Sequence, residues 1–214
     1  NGMVVGGTGT ILRTTNGGSS WTLQSSGTTD NLYGVSFGSA ATGFAVGGFV
    51  SGTIVKTTDG GITWARQTNG ASGFLTSVSA IDPSTAVAVA ADGTILKTTN
   101  GGATWMQQTS GVSTILYSVC FVDTNNGYTV GASGIHRTTN GGDTWVRQIS
   151  AGTGVFRAVH FVGASVGTVV GDGGRIYRTV TGGWYGWASQ TSGTSVDLHA
   201  VSFYSPSHGI AVGD

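Results

Sequence analysis

One eight-residue segment, Thr-Thr-Asp-Gly-Gly-Ile-Thr-Trp at 57–64, recurs along the whole chain. Close copies occupy residues 14–21, 98–105 and 138–145, and a degenerate copy with one additional residue occupies 179–187. The tryptophans that end the copies are 43, 41, 40 and 42 residues apart. A period near 40 residues without a 3.6-residue apolar pattern favours a four-stranded β-propeller blade over a helical repeat.

Each repeat predicts four short strands, which we call A, B, C and D. In the second repeat these are residues 32–37, 44–47, 53–57 and 64–67, and the recurring segment joins C to D. Large and small side chains alternate along strand A, which suits closely packed blades. We therefore predict a single β-propeller domain over residues 1–214, with repeats at about 1–31, 32–74, 75–115, 116–155 and 156–197 and closing strands at 198–214.

The two ends of the sequence both match strand B. Residues 1–7 and 208–214 share its pattern, so the chain holds five A, C and D strands but six B candidates. We predict an all-β propeller of about five four-stranded blades. Its closing blade would combine strand A from 198–203 with strands C and D from 10–24, which removes open sheet edges. The alternative is an incomplete six-bladed ring or a segment of a larger propeller.

The recurring turn has a structural explanation. Gly60 and Gly61 permit positive φ, and the Asp59 side chain can accept backbone N–H bonds across the turn. Asn replaces this Asp in three copies, and only the acceptor oxygen is common to both residues, which argues against metal binding or acid–base chemistry. We assign a structural role to Asn16, Trp21, Asp59, Trp64, Asn100, Trp105, Asn140, Trp145 and Trp187. In the fifth copy Thr181 replaces the Asp, which predicts a rearranged turn that exposes Trp184 or Tyr185.

These motifs resemble a known family. The pattern Thr-x-(Asp/Asn)-x-Gly-x-(Thr/Ser)-Trp is similar to the Asp-box repeat of sialidases and related β-propellers. The fuller repeat, with Leu-x-x-Val-x-Phe in strand A, is similar to propellers of the photosystem II assembly and stability factor type. The resemblance implies a propeller whose boxes are structural and lie away from ligand sites. It also implies a basic patch and a protein partner, although 214 residues cannot supply the seven blades of the photosynthetic members.

Composition excludes several classes of function. Nine acidic residues, all Asp, balance nine Lys and Arg, so the charge indicates no nucleic-acid partner. A single cysteine, Cys120, excludes an intrachain disulfide and a Cys-based metal cluster, and we expect it to be a small buried strand residue. We expect no membrane span, no metal and no cofactor. A surface rich in Gly, Thr, Ser and Asn suggests a secreted or cell-envelope location.

A basic residue precedes each box in strand C. In the functional interpretation these residues form a positive ring for an anionic partner or peptide. In the structural interpretation each one bonds carbonyls or the Asp/Asn of its own blade and stacks its stem on a tryptophan. We favour the structural interpretation because the feature repeats in every blade. The residues are Arg13, Lys56, Lys97, Arg137 and Arg178.

Binding residues are expected where the repeats differ. The second residue of strand A varies and would surround the channel mouth, near loops that carry aromatic and acidic groups. The candidate ligand-binding residues are Tyr33, Tyr117, Arg157, His199, Asp30, Asp197 and Phe49. We therefore predict a non-enzymatic scaffold that binds a protein or peptide.

The alternative is a propeller that binds or cleaves glycans. Sialidase chemistry needs a Tyr–Glu pair, and the chain has no Glu and no Phe/Tyr-Arg-Ile-Pro motif. Glycoside hydrolysis otherwise needs two carboxylates facing each other, for which Asp30 and Asp197 are the candidate pair. Both lie in loops rich in Ser, Thr and Gly, where Asp commonly supports turns.

Overall fold

The structure is a computed structural model that describes residues 1–149, 152 and 154–214, and nearly all of its regular structure is β-strand. Strands of type A are β4 (Leu32–Phe37), β8 (Leu75–Ala80), β12 (Leu116–Phe121), β16 (Phe156–Val162) and β20 (Leu198–Ser205). Strands of type B are β1 (Gly2–Val5), β5 (Gly43–Gly48), β9 (Ala86–Ala90), β13 (Gly127–Gly131), β17 (Val166–Gly171) and β21 (His208–Gly213).

The outer two strands of each repeat complete the set. Strands of type C are β2 (Ile11–Thr14), β6 (Gly52–Thr57), β10 (Ile95–Thr98), β14 (Gly134–Thr138) and β18 (Arg175–Thr179). Strands of type D are β3 (Thr22–Gln24), β7 (Ala65–Gln67), β11 (Met106–Gln108), β15 (Val146–Ile149) and β19 (Ala188–Gln190). Short 3₁₀ turns cover Gly7–Gly9 and Asp172–Gly174.

The strands form antiparallel sheets in the predicted A-B-C-D order. Four complete sheets consist of β4–β7, β8–β11, β12–β15 and β16–β19. A three-stranded sheet of B, C and D type is formed by β1–β3, and a two-stranded sheet of A and B type is formed by β20 and β21. The chain is thus an all-β protein built from β-propeller blades, as the repeat predicted.

Among the described strands, the pairings that the predicted closing blade requires are not present. That blade required strand A near residue 198 to join the C and D strands of residues 10–24, whereas β20 pairs with β21 and β2 pairs with β1 and β3. Each B strand is bound to the strand next to it in the sequence, because a short hairpin connection costs less chain entropy than a distant pairing. The sheets match the alternative, a partial propeller.

The chain divides into two compact units, Asn1–Gln108 and Thr109–Asp214. In the first unit, Phe44, Ile54, Leu75 and Leu96 form a core between the second and third sheets, and Ile11, Leu32 and Val55 belong to a second cluster. The core of the second unit includes Tyr128, Phe156 and Val169. Strand B is almost fully buried in every complete sheet.

Neighbouring A strands pack closely on their small residues. A Cβ atom on Gly34 would lie 3.2 Å from the Cα of Ser77 on the next A strand. Ala80 N donates to Ser36 Oγ at 3.0 Å, and Phe203 N donates to His160 Nδ1 at 3.3 Å. The alternation of large and small residues predicted for strand A therefore places the small side against the next A strand. No helix in the described part of the chain is long and apolar enough to cross a membrane.

Candidate functional site

A β-bulge interrupts every A strand at the same position. The register of β4 on β5 pairs Leu32 with Gly47 and then Gly34 with Val46, which leaves Tyr33 without a cross-strand partner. A bulge bends the strand and redirects the side chain of the extra residue. The equivalent shifts in the other A strands fall on the remaining variable positions from the sequence: Thr76, Tyr117, Arg157 and His199.

Antiparallel topology places the bulges and two sets of loops at one end of each sheet. Strand A starts at the end where the B–C and D–A loops lie, and we call this end the loop edge. The opposite end carries the A–B loop and the C–D turn, and we call it the turn edge. The candidate binding residues thus belong to the loop edge and the recurring boxes to the turn edge.

The loop edge of the first unit is aromatic. The rings of Tyr33 and Phe74 lie 5.7 Å apart, and Asn31 Nδ2 donates to the Tyr33 hydroxyl at 3.4 Å. Phe49 and Val50, in the B–C loop, are largely exposed. Tyr33 and Phe49 were predicted from the sequence as binding residues, whereas Phe74 and Val50 were not, although both stand beside predicted strand ends. We call Tyr33, Phe49, Val50 and Phe74 the aromatic patch.

Asp30 supports the same edge through hydrogen bonds. Its carboxylate accepts from the hydroxyls of Thr53 at 2.5 Å and Thr28 at 3.3 Å, and Arg66 Nη2 lies 3.6 Å away. Asp30 and Arg66 also line an open groove of about 670 Å³ together with hydroxyl and backbone groups of residues 24–29. Arg66 was missed because its position in strand D is not distinctive in sequence. This carboxylate is therefore already bonded to its own sheet.

The loop edge of the second unit is charged. Arg157 Nε donates to Asp172 Oδ1 at 2.6 Å, and its Nη2 lies 3.6 Å from Asp197 Oδ2. The guanidinium also lies 5.1 Å from the centre of the Tyr117 ring. Asp197 further accepts the N–H of Gly173 at 2.9 Å, which ties the D–A loop to the B–C loop. The structure thus brings three sequence-predicted residues, Tyr117, Arg157 and Asp197, into one network.

His199 belongs to the last sheet. Its Nε2 lies 2.9 Å from Asp214 Oδ1, and both groups are substantially exposed. Thr76, the remaining bulged residue, donates its hydroxyl to the carbonyl of Val89 within its own sheet. The five bulged positions therefore carry different chemistry on the same backbone feature.

The recurring turn forms a network of local hydrogen bonds at the turn edge. Asp59 Oδ1 accepts the N–H groups of Ile62 and Thr63 at 3.0 and 2.9 Å, and Thr57 Oγ1 accepts the N–H of Gly61. The hydrogen bond from the Thr63 hydroxyl is the main cause that holds the pKa of Asp59 well below its usual range. Asn16, Asn100 and Asn140 accept the corresponding N–H through Oδ1.

Tryptophans close these turns against aromatic neighbours. Trp64 meets Phe37 edge to face at 6.1 Å between ring centres, and Trp145 meets Phe121 in the same way at 5.9 Å. In the third sheet Ala80 replaces the phenylalanine, and Trp105 instead packs on Phe44 of the preceding sheet. Trp21 is 42 % exposed, whereas the equivalent tryptophans are 8 % exposed.

The fifth box is rearranged, as predicted. Thr181 Oγ1 accepts one long hydrogen bond from Tyr185 N at 3.4 Å, in place of the short bonds to Asp or Asn. Gly183 N still donates to Thr179 Oγ1 at 2.9 Å, so half of the turn keeps its geometry. Trp184 and Tyr185 are both largely exposed, which confirms the prediction. Trp184 stacks 3.7 Å from the guanidinium carbon of Arg137.

Two of the basic residues of strand C, Arg13 and Arg178, reach across to the following sheet. Arg13 Nε donates to the carbonyl of Gly60 at 2.9 Å, and Arg178 Nη2 donates to that of Pro206 at 2.5 Å. The structural interpretation had placed such bonds within each residue's own blade. Lys56 lies 6.0 Å from the Phe44 ring, and Lys97 lies in β10 opposite Val87. The two arginine bonds join neighbouring sheets, whereas Lys56 and Phe44 are paired within one sheet, as are Lys97 and Val87.

Other reactive groups are dispersed. In the described residues no three His, Cys or Asp side chains form a cluster that could hold a metal ion. Cys120 is half-buried in β12, and burial raises the pKa of its thiol. Burial tends to raise the pKa of Asp92. Its carboxylate accepts hydrogen bonds from Thr94 N and Ser72 Oγ, and these bonds lower the pKa below its usual value.

Comparison with known proteins places the chain in a family. Residues 1–113, more than half of the 214 residues, match the family model described as photosynthesis system II assembly factor YCF48. The chain belongs to the YCF48 family. The match covers the whole of the first unit, including the aromatic patch. No curated protein matches the sequence.

Solved structures agree with the fold. The structure of YCF48 from Cyanidioschyzon merolae is 19% identical to this chain with a TM-score of 0.61, and the alignment covers 99% of this chain and 88% of that one. A structure of YCF48 bound to D1 peptide is 17% identical with a TM-score of 0.52, over 99% and 84% of the two chains. A GH74 enzyme from Niastella koreensis is 20% identical to this chain with a TM-score of 0.73, but the alignment covers 93% of this chain and only 36% of the enzyme. At these identities the likeness shows the β-propeller fold.

Proposed function

We propose that the chain is a non-enzymatic scaffold that binds an extended peptide segment of a protein partner at the loop edge of its first unit. The observation that carries the proposal is the aromatic patch, in which a bulged Tyr33 and Phe74 form a ring pair at the same loop edge as exposed Phe49 and Val50. Membership of the YCF48 family and the likeness to a YCF48 structure with a bound D1 peptide support a peptide as the ligand.

The chemistry of the patch suits an apolar peptide anchor. Aromatic side chains bury a large area with few rotatable bonds, and they dominate the energetics of many interfaces. The bulge redirects the side chain of Tyr33, and the bond from Asn31 orients its hydroxyl. A preorganised aromatic surface therefore loses little entropy when a peptide side chain packs on it.

The state of the carboxylates favours binding over catalysis. A glycosidase acid needs a raised pKa, and its partner carboxylate must face the scissile bond. At the loop edges Asp30 is bonded to Thr53, and Asp172 and Asp197 are bonded to Arg157 and Gly173. Because these carboxylates are engaged in hydrogen bonds that hold the loops, we assign no catalytic residue.

The proposal is tested with a labelled peptide. Fluorescence anisotropy would measure binding of the D1 peptide and of peptides selected by this chain from a random displayed library. Tyr33→Ala and Phe49→Ser should each weaken binding by about tenfold or more, as expected for aromatic anchors. Thr76→Ala is the matched control, because it changes a bulged residue whose hydroxyl bonds its own sheet. Selection of no peptide, or equal affinity in all variants, would refute the proposal.

A second candidate function is glycan binding at the groove beside Asp30 and Arg66. Its lining of hydroxyls, amides and one ion pair offers the hydrogen-bonding groups that a sugar requires, and the GH74 structure shares the fold. An oligosaccharide array distinguishes the candidates. Binding to a sugar that is lost in Arg66→Ala and kept in Tyr33→Ala favours the groove, and the opposite pattern with peptides favours the patch.

The proposed location is outside the cytosol, either secreted or in the cell envelope. Its support is the composition, with few charges and abundant Gly, Thr and Ser. Fractionation of cells that produce the native protein tests it, and recovery in the cytosolic fraction would overturn it.

A further inference from the structure

A groove at the turn edge of the second unit has a volume of about 260 Å³, and we call it the Arg137 groove. It lies between the sheet β12–β15 and the box of the following sheet. This volume is below the range of about 300–1,000 Å³ that is usual for drug-sized ligands, so the groove fits one small group. The lining residues are Arg137, Thr139, Thr144, Val146, Gln148 and Trp184.

An equivalent groove of about 350 Å³ recurs in the first unit, with different groups at two positions. Lys56 replaces the arginine, and Ala103, the sixth residue of its box, stands where the fifth box has Trp184. The two threonine positions and the glutamine of strand D are the same in both grooves. The arginine and the tryptophan are therefore the features that distinguish the Arg137 groove.

The guanidinium of Arg137 is buried with one donor unpaired. Arg137 is 5 % exposed, and its Nε is enclosed and has no hydrogen-bond partner in the described structure. Arg13, at the same strand position, donates its Nε to the carbonyl of Gly60 in the next sheet. The carbonyl that corresponds to it, that of Gly182, instead accepts the Tyr128 hydroxyl at 2.6 Å. Because buried donors are normally paired, this nitrogen requires an acceptor from outside the chain.

Trp184 covers this guanidinium. The guanidinium carbon lies 3.7 Å from the centre of the Trp184 ring, and Trp184 is 68 % exposed. It belongs to the box that has one additional residue and in which Thr181 accepts only a long bond from the backbone. A side chain this exposed is held by few contacts, so rotation of the indole can open Arg137 to the groove.

The charge of the groove selects a carboxylate. A guanidinium pairs with a planar carboxylate through charge-assisted hydrogen bonds. Arg137 Nη2 already donates to Asn126 Oδ1 at 3.1 Å, which leaves a single cation with part of its donors available. This arrangement matches a group with one negative charge better than a phosphate with two.

The remaining lining groups select a ligand that also carries hydroxyls. Thr139, Thr144 and Gln148 offer two hydroxyls and an amide beside the arginine. An aspartate or glutamate side chain has only methylene groups next to its carboxylate and would leave these polar groups without a partner. We propose that the Arg137 groove binds a sugar acid of the uronic acid type. Its carboxylate accepts the Nε–H of Arg137 when Trp184 turns aside, and its ring hydroxyls bond the threonines and Gln148.

The site is independent of the proposed peptide binding, because the aromatic patch belongs to the loop edge of the first unit. Nuclear magnetic resonance of the ¹⁵N-labelled chain tests it. The Nε–H signal of Arg137 is identified by its loss in Arg137→Lys, and the indole N–H signal of Trp184 by its loss in Trp184→Ala. Titration with sodium galacturonate at constant ionic strength should shift both signals saturably, whereas galactose should shift neither.

Two variants separate the roles of the arginine and the tryptophan. Arg137→Lys keeps the charge but removes the planar set of donors, so the affinity read from the Trp184 signal should fall by about tenfold or more. Lysine occupies the same strand position at residues 56 and 97, so the fold accommodates it. Trp184→Ala should bind more tightly, because no cover has to be displaced. Weaker binding by Trp184→Ala would overturn the role of Trp184 as a cover.

Lys56→Gln is the matched control, because it removes the basic residue of the equivalent groove and should leave both titrations unchanged. A loss of affinity in Lys56→Gln as large as in Arg137→Lys would overturn the proposal, since binding would then depend on general positive charge. So would the absence of a saturable shift with galacturonate, or equal affinity for N-acetylglutamate amide. Trigalacturonate that binds more tightly than galacturonate would identify the ligand as the end of a polysaccharide, and equal affinity would identify it as the free sugar acid.

Discussion

The buried imidazole of His136 makes the stability of the second unit depend on pH. His136 lies in strand C of its sheet, at the position that Leu12 and Leu96 occupy in other sheets. It is 4 % exposed, and its Nδ1 has no hydrogen-bond partner in the described structure. Burial, together with the charge of Arg147 on the paired strand, lowers its pKa from 6.5 to about 4.

The size and sign of the effect follow from this pKa. The folded protein keeps His136 neutral, whereas the unfolded chain takes up a proton as the pH falls through 6.5. Stability is therefore complete above pH 6.5 and is lost between pH 6.5 and about 4. At 1.36 kcal/mol for each pH unit, the loss amounts to about 3 kcal/mol.

His136→Leu should abolish this loss. Leucine has a similar volume, is found at the same position in other sheets and removes the unsatisfied nitrogen. Urea unfolding followed by tryptophan fluorescence at about pH 7.5, 5.5 and 4 would give the free energy of unfolding for both proteins. The difference between variant and wild type should grow by about 3 kcal/mol as the pH falls from 6.5 to 4. Carboxylates such as Asp59 titrate below this window, because their pKa values are lowered.

If the free energies of unfolding of the wild type and of His136→Leu change in parallel with pH, the proposed role of His136 is wrong. Parallel changes would show that His136 is protonated in the folded state without cost, so that its site is hydrated or rearranged. The reverse replacement, Leu96→His, should introduce a pH dependence of the same sign into the first unit, because Leu96 is equally buried; the effect should be smaller, since Gln107 and not an arginine is paired with it. A Leu96→His protein without that dependence would also contradict the explanation.

Three further predictions concern the repeated turn and the A strands. Trp64→Ala should cost about 3–5 kcal/mol of stability in denaturant unfolding, whereas Trp21→Ala should cost less than half of that, because Trp21 is 42 % exposed and Trp64 is 8 % exposed. Thr181→Asp should stabilise the chain by about 1 kcal/mol, since the carboxylate would restore short bonds to the turn, and an unchanged unfolding midpoint would contradict this. Gly34→Ala should destabilise by about 1–3 kcal/mol, because the added Cβ approaches Ser77 Cα to 3.2 Å; wild-type stability would show that the A strands can separate without cost.

Internal repetition made much of the fold predictable. The strand types, their antiparallel order and the boxes followed from comparing repeats within one sequence, because each blade must solve the same packing problem. The sequence did not predict which strand pairs with each of the two terminal B strands. Residues 1–7 and 208–214 fit strand B equally well, so the pattern cannot show which of them pairs with a given C strand. The structure pairs each with its sequence neighbour.

The strand positions of the candidate binding residues could be predicted from the sequence, but their local geometry could not. Variation between repeats identified Tyr33, Tyr117, Arg157 and His199, yet the pattern did not show that a bulge underlies all these positions. A bulge is a shift in pairing between two strands, and the residue types of one strand do not encode it. Contacts between sheets, such as Trp184 on Arg137, were missed for the same reason.

The affinity of the labelled peptide for the wild type and for a Tyr33→Ala/Phe49→Ser double variant decides whether the aromatic patch binds the peptide. We predict saturable binding to the wild type and a loss of about a hundredfold in the double variant, from two aromatic anchors of about tenfold each. The double variant should keep the wild-type unfolding midpoint, because both side chains are substantially exposed. Equal affinity of the two proteins for the peptide would show that the aromatic patch is not the peptide-binding surface.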